Sequence, residues 1–197
     1  AGAAGTPSAV VAFNAAEGQR PIDRMAYETV TTLERLQQWV DEARAIGRFA
    51  FDTETTGLDA MAADLVGLSM ALAPGKACYV PLGHSKGDGL DFGGGAIVQA
   101  PLRAALDLVK PLLEDASVLK IGQNIKFDAL ILRRYGVAIA PIDDTMLMSY
   151  ALEAGRGGHG MDELSERHLK HTCVSFNKVI EHAPGTKKSE KTFAGVP

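Results

Sequence analysis

The sequence is poor in several features that would assign a chain to a broad class. It has two cysteines, Cys78 and Cys173, far apart and in no metal-type spacing. At most one bridge can form, so a disulfide framework is excluded, and the chain fits a reducing compartment. No apolar run reaches the ~18 residues of a membrane helix. No basic residues precede an apolar block at the N-terminus, so no signal peptide is expected and a cytoplasmic protein is. Positive charge is also not in excess. Lys and Arg number 20 against 24 Asp and Glu, a formal net charge of −4. Proteins that grip duplex DNA mainly through phosphates are usually basic. Any contact with nucleic acid here is therefore local, or passes through carboxylates and cations. One basic stretch stands out, with Arg167, Lys170, Lys178, Lys187, Lys188 and Lys191 against Glu181 and Glu190. It suits a phosphate-facing edge and equally an ordinary solvated surface.

With 197 residues and 46% hydrophobic content, the chain can bury one sizeable core. Residues 1–21, rich in Ala and Gly, read as a linker or loosely ordered arm. A short strand is expected at Tyr27–Val30. Thr31 and Glu34 form a capping-box pattern ahead of a helix burying Leu33, Leu36, Trp39, Val40 and Ala43, which Gly47 stops. Three strands follow, at Phe49–Thr53, in "DLVGLSMALAP" and in "ACYVPL", as an antiparallel meander. Residues 83–95 read as a loop. A helix over Ile97–Leu113 precedes a strand at Ser117–Gly122, and Asn124 is the expected N-cap of the next helix, closed by Gly136. A short strand and a helix in "IAPIDDTMLMSYALEAG" come next, then a helix from about Met161 to Leu169. This order implies an α/β domain with a mixed β-sheet flanked by helices.

The stretch "FAFDTETTGLD" carries the chemistry. It begins as a core strand and ends with Asp52 and Glu54, two residues apart and so on one face. In α/β sheets, sites lie at the C-terminal ends of strands. Two carboxylates this close repel, and a hard divalent cation with oxygen ligands, Mg²⁺ or Mn²⁺, relieves that repulsion. A strand that has merely ended in solvent would leave the same acids hydrated. Asp128, in "GQNIKFDALIL", lies near the first turn of a helix that opens directly after a strand. It can meet Asp52 and Glu54 at the same sheet edge, or complement the helix N-terminus.

"FDTETTGLD" resembles the first motif of the 3′–5′ exonucleases that proofread for DNA polymerases, and "GQNIKFDALIL" resembles their second. With "LLEDASVLKIGQNIKFDALILRRYG" and "DTMLMSYAL…MDELSERHLKH", residues 27–196 are similar to the exonuclease domain of bacterial DNA polymerase I, a DEDD-type family. The resemblance implies a ribonuclease H-like fold over residues 22–197 and two-metal hydrolysis of a terminal phosphodiester on a single-stranded DNA 3′ end. It implies that Asp52 bridges both cations, Glu54 holds one and Asp128 supports the other. Leu58 would wedge against the terminal base, Gln123 and Asn124 would hold backbone or sugar, and Phe176 would stack on a base. Thr53 and Phe127, inside the motifs, are assigned to the nucleic-acid contact as well. The implied partners are that DNA end and a polymerase domain in the same parent chain, near the nucleoid and away from membranes.

The family's third motif, Tyr-x-x-x-Asp, has no match, because Asp143, Asp144 and Asp162 do not follow a Tyr by four residues. The sequence stops at "TFAGVP", before the helix that carries that motif, so this stretch alone is expected to fold and to be nearly inactive. Two alternatives are an exoribonuclease of the same fold and a silent structural domain. The three retained carboxylates speak against the second. His168, His171 and Cys173 have unconvincing zinc spacing. His84 and His159 fall in loops and are expected to be exposed.

Overall fold

The computed structural model describes residues 23–85, 97–183 and 191–196. The N-terminal arm and most of the loop at 83–95 lie outside the described residues. Among those described, no helix is long and apolar enough to cross a membrane. The strands are β1 (Glu28–Thr29), β2 (Arg48–Thr55), β3 (Leu65–Ala73), β4 (Lys76–Pro81), β5 (Leu119–Gly122) and β6 (Ile142–Asp144). They form one mixed sheet in the order β1-β4-β3-β2-β5-β6. The meander β2-β3-β4 is antiparallel, and β1, β5 and β6 join it in parallel.

Register decides which residues share a face. Phe51 pairs with Met70 and Met70 with Cys78, while Asp52 pairs with Ser69 and Ser69 with Tyr79. The first row belongs to the core face, which holds Phe49, Phe51, Leu68, Met70 and Val80. It is covered by α1 (Leu33–Ile46) and α2 (Leu102–Leu113), which bury Leu36, Trp39, Val40 and Ala43, and Ala105, Leu106, Val109, Leu112 and Leu113. The helical spacing of these residues makes each helix a one-sided wedge on the sheet. The second row belongs to the opposite face, lined by small residues such as Ala50, Ser69, Ala71 and Ala77. It forms the floor of a cleft of about 1050 Å³, walled in part by α4 (Thr145–Leu152) and α5 (Met161–Leu164).

Three helix starts differ from expectation. The N-cap of α1 is Thr32, not Thr31, and its side chain accepts from the Arg35 N–H at 3.2 Å. Glu34 thus sits in the first turn rather than closing a capping box. Helix α2 begins at Leu102 instead of residue 97, because Pro101 disfavours helical backbone in the residue before it. Ala100 instead donates its N–H to Pro81 O at 3.1 Å. Asn124 is not the N-cap of α3 (Lys126–Arg134). It takes a left-handed conformation, φ 58°, and turns the chain from β5 into the helix. Gly47 does end α1 as expected, in the left-handed conformation (φ 78°) that glycine adopts at least cost.

Lys120 pairs with Phe49 across β5 and β2, so it points into the core face, and it is fully buried. Its Nζ donates to the carbonyls of Val118 at 2.7 Å, Asp115 at 2.9 Å, Ala140 at 2.5 Å and Leu112 at 3.5 Å. The ammonium therefore satisfies carbonyls around the C-terminal end of α2, where positive charge is favoured. Burial pushes its pKa down, and the Asp115 charge acts in the opposite direction. Lys120→Met removes the donor and strands these acceptors. Urea unfolding is expected to register a loss on the order of 3 kcal/mol.

Candidate active site

Strand β2 leaves the core between Thr53 and Thr55, where its pairing with β3 shifts register between Glu54 and Thr55. Asp52 and Glu54 therefore project together from the cleft face at the strand's C-terminal end, both half-buried. Thr53, between them, points the other way and is buried. Its N–H donates to Asp128 Oδ1 at 2.8 Å and its hydroxyl to the same oxygen at 2.6 Å. Asp128, 2% exposed, lies in the first turn of α3. A carboxylate 75 residues away is thus latched to the strand between the other two acids.

The electrostatics follow from this proximity. Burial first, then the charges of Asp128 and Glu54, push the Asp52 carboxyl up to about 7. Burial and Asp128 push Glu54 up to about 7. Burial also raises Asp128, against the pull of its two bonds from Thr53. No lysine or arginine among the described residues makes an ion pair with any of the three. Their donor set is all oxygen, mutually repulsive and without a protein counter-charge, which suits a hard divalent cation in kind. Among the described residues, no three acidic, histidine or cysteine side chains are already closed around a common point.

The remaining residues singled out from the sequence are placed differently from one another. Leu58 is 96% exposed on the loop after β2. That loop is cross-tied by Thr56 N–H to Asp64 O at 3.0 Å, by Asp64 N–H to Thr56 Oγ1 at 2.9 Å and by Arg134 to the Ala63 carbonyl. Leu58 is therefore an apolar tip on a fixed base. Gln123 lines the cleft, but both ends of its amide are engaged. Its Nε2 donates to His159 O at 2.8 Å, and its Oε1 accepts from Thr145 Oγ1 at 2.5 Å. Asn124 donates its N–H to Asp144 Oδ1 at 3.0 Å, while its own side-chain oxygen is buried without a hydrogen-bond partner. Phe127 packs against the core cluster. Phe176 is 58% exposed at the start of α6 (Phe176–Val179) and does not line the cleft.

Both loop histidines depart from expectation, because each has found a hydroxyl and an aromatic ring. His159 is buried, its Nδ1 lies 2.8 Å from Ser149 Oγ, and it stacks on Tyr150 at 3.8 Å between centroids. His84 is half-buried, 2.7 Å from Tyr79 Oη through Nε2, and burial lowers its pKa. Asp144, which the resemblance places outside the metal site, caps α4 by accepting from Met146 N–H at 2.9 Å and also holds Asn124. Its Asp-Thr order at a helix start is the only local signal that could have found it.

Asp52 and Glu54 thus end a central strand of a mixed sheet, with Asp128 latched to that same strand. Solved structures agree on the fold. Brucella melitensis NrnC with bound Mg²⁺ aligns with a TM-score of 0.53 at 20% identity, covering 86% of this chain and 71% of that one. Escherichia coli RNase D, an exoribonuclease, aligns with a TM-score of 0.55 at 18% identity, covering 86% of this chain and 40% of that one. The chain belongs to the 3′–5′ exonuclease family, whose model matches residues 27–188. DNA polymerase I of Rhizobium leguminosarum is 50% identical over 88% of this chain, which spans 18% of that relative's length.

The raised carboxyls predict a pH dependence. In the fold, Asp52 and Glu54 keep protons that the unfolded chain has released, so in metal-free buffer their contribution to stability falls as pH rises from about 4 to about 7. Glu54→Gln removes one of the repelling charges. With chelator present, its thermal midpoint is expected above the wild type at pH 8 and level with it at pH 4.

Proposed function

We propose that this chain is the proofreading exonuclease part of a DNA-directed DNA polymerase, removing nucleotides from the 3′ end of single-stranded DNA. The observation that carries the reading is the latch of Asp128 onto Thr53, which sets a third carboxylate beside Asp52 and Glu54. The substrate and the polymerase partner rest on the relative named DNA polymerase I, and a cytoplasmic, nucleoid-associated setting follows from them.

Asp52, Glu54 and Asp128 are the residues to hold two divalent cations, Mg²⁺ or Mn²⁺. When bound, such ions supply an activated water and charge stabilisation on the scissile phosphate. Water adds at phosphorus, and the bond to the 3′ oxygen of the penultimate nucleotide breaks. A nucleoside 5′-monophosphate and a new 3′-hydroxyl are released. The chain's own part is placement. Thr53 keeps Asp128 from turning away, which a carboxylate facing two others would otherwise do. Leu58, free on its cross-tied loop, is shaped to press against the terminal base and hold the end unpaired. Asn124 acts through its backbone, whose N–H on Asp144 sets the turn from β5 into α3 at the carboxylate edge. Gln123 acts indirectly, by pinning the His159 loop along the cleft. Phe176 supplies a base-stacking face from outside the cleft.

A related reading, hydrolysis of RNA ends, is favoured by the fold likeness to RNase D. Matched DNA and RNA oligonucleotides separate the two, since only RNA presents a 2′-hydroxyl. In the full natural polypeptide carrying this sequence, with Mn²⁺, single-stranded DNA is expected to shorten from its 3′ end. Asp52→Ala is expected to cut that rate about 10³-fold or more. Equal rates for wild type and Asp52→Ala, or a clear preference for RNA, would overturn the DNA exonuclease reading.

A further inference from the structure

A second polar group reaches the carboxylate edge from β4, outside both sequence motifs. Register places Asp52, Ser69 and Tyr79 in one cross-strand row on the cleft face, and Glu54 and Gly67 in the neighbouring row. The Tyr79 ring leans out of its own row and lies over Gly67. A Cβ built on Gly67 would sit 2.0 Å from Tyr79 Oη and 2.3 Å from Cζ. Only glycine at this position lets the phenol lie flat against the sheet. Gly67 is the direct partner of Glu54, so the hydroxyl lies over the backbone position paired with Glu54. The Glu54 charge accordingly adds to burial in raising the phenol's pKa.

The direction of the phenol proton can be read from its partners. His84 Nδ1 lies 3.1 Å from the Val196 carbonyl, which can only accept. Nδ1 therefore carries the proton, and in the uncharged ring Nε2 is an acceptor. Across 2.7 Å, Tyr79 Oη donates to it. The arrangement is held from several sides. His84 N–H donates to Gln99 Oε1 at 2.9 Å, and Ser85 N–H to Ala194 O at 2.9 Å. The Phe193 ring packs on both Tyr79 and His84. With its proton spent on His84, Tyr79 turns only lone pairs toward Glu54. Where Glu54 is ionised, as it would be with a cation bound, both groups on this edge are acceptors, and a donor between them would satisfy both. A water molecule meets both with its two hydrogens.

We propose that Tyr79, oriented by His84, is a positioning residue of the exonuclease site that acts through Glu54, fixing the carboxylate's orientation by way of a bridging water. The proposal rests on the exonuclease reading and adds to it residues that neither motif contains. A purely structural role would need only the ring over Gly67. Tyr79→Phe keeps that ring and removes the oxygen. His84→Asn keeps a donor toward Val196 and removes the acceptor for the phenol proton, which then turns to Glu54 directly.

Both substitutions are tested in the full natural polypeptide, by calorimetric Mn²⁺ titration and by kinetics on single-stranded DNA, with Asp52→Ala as reference. The Mn²⁺ binding that Asp52→Ala abolishes is expected to weaken about tenfold in each variant, with kcat reduced to a similar degree. KM for the oligonucleotide and the thermal midpoint are expected to stay at wild-type values. If Tyr79→Phe and His84→Asn match the wild type in both Mn²⁺ affinity and kcat while Asp52→Ala loses both, the positioning role is refuted and the exonuclease reading stands. If Asp52→Ala itself changes neither, the exonuclease reading fails and the Tyr79 role falls with it.

Discussion

Two hydrogen bonds from one threonine to one aspartate organise the site. Asp128 is nearly inaccessible, and a carboxylate in that position would ordinarily turn outward or give up its charge. The Thr53 amide and hydroxyl hold it from inside the sheet. Because Thr53 alternates with Asp52 and Glu54 along β2, the same pleat that exposes two acids to the cleft buries the group that fastens the third. The latch also fixes α3 against β2, and so sets how the turn at Asn124 meets the sheet edge.

Around that latch the sheet has two unlike faces. One is filled by α1 and α2 and carries the hydrophobic core, with Lys120 fully buried within it. The other keeps small side chains at Ala50, Ser69, Ala71 and Ala77, and the cleft exists because nothing large rises from these positions. Small residues do two jobs here. They leave space for an extended ligand, and at Gly67 they let an aromatic ring from β4 lie across the neighbouring strand. The rigid core face allows the cleft face to hold repelling charges, since a strand buried on its far side cannot relax away from them.

Much of this was legible in the residues. The strand in "DLVGLSMALAP", the helical spacing of Leu36, Trp39, Val40 and Ala43, and Gly47 as a stop signal are all local signals, and they reappear in the fold. The D-x-E pair announces itself because charge at a strand end contradicts the apolar run before it. Other features were hidden because their partners are distant. Lys120 looks like a solvent lysine until β5 is paired with β2. His84 and His159 look like loop residues until Tyr79 and Ser149 arrive from other elements. The start of α2 and the cap of α1 were misplaced by a few residues, as neighbouring threonines and prolines compete for the same terminal positions.

The sequence by itself determined the kinds of groups available: two acids on one strand face, a third near a helix start, and enough periodic apolar residues to form a two-sided sheet. These follow from spacing along the backbone, and spacing needs no folded context. Only the tertiary structure decided which groups meet, because contacts across 75 residues depend on strand order and register. Register turned Thr53 into the fastening for Asp128 and set Tyr79 in the same cross-strand row as Asp52. A shift of one residue in either pairing would have sent those side chains to the opposite face.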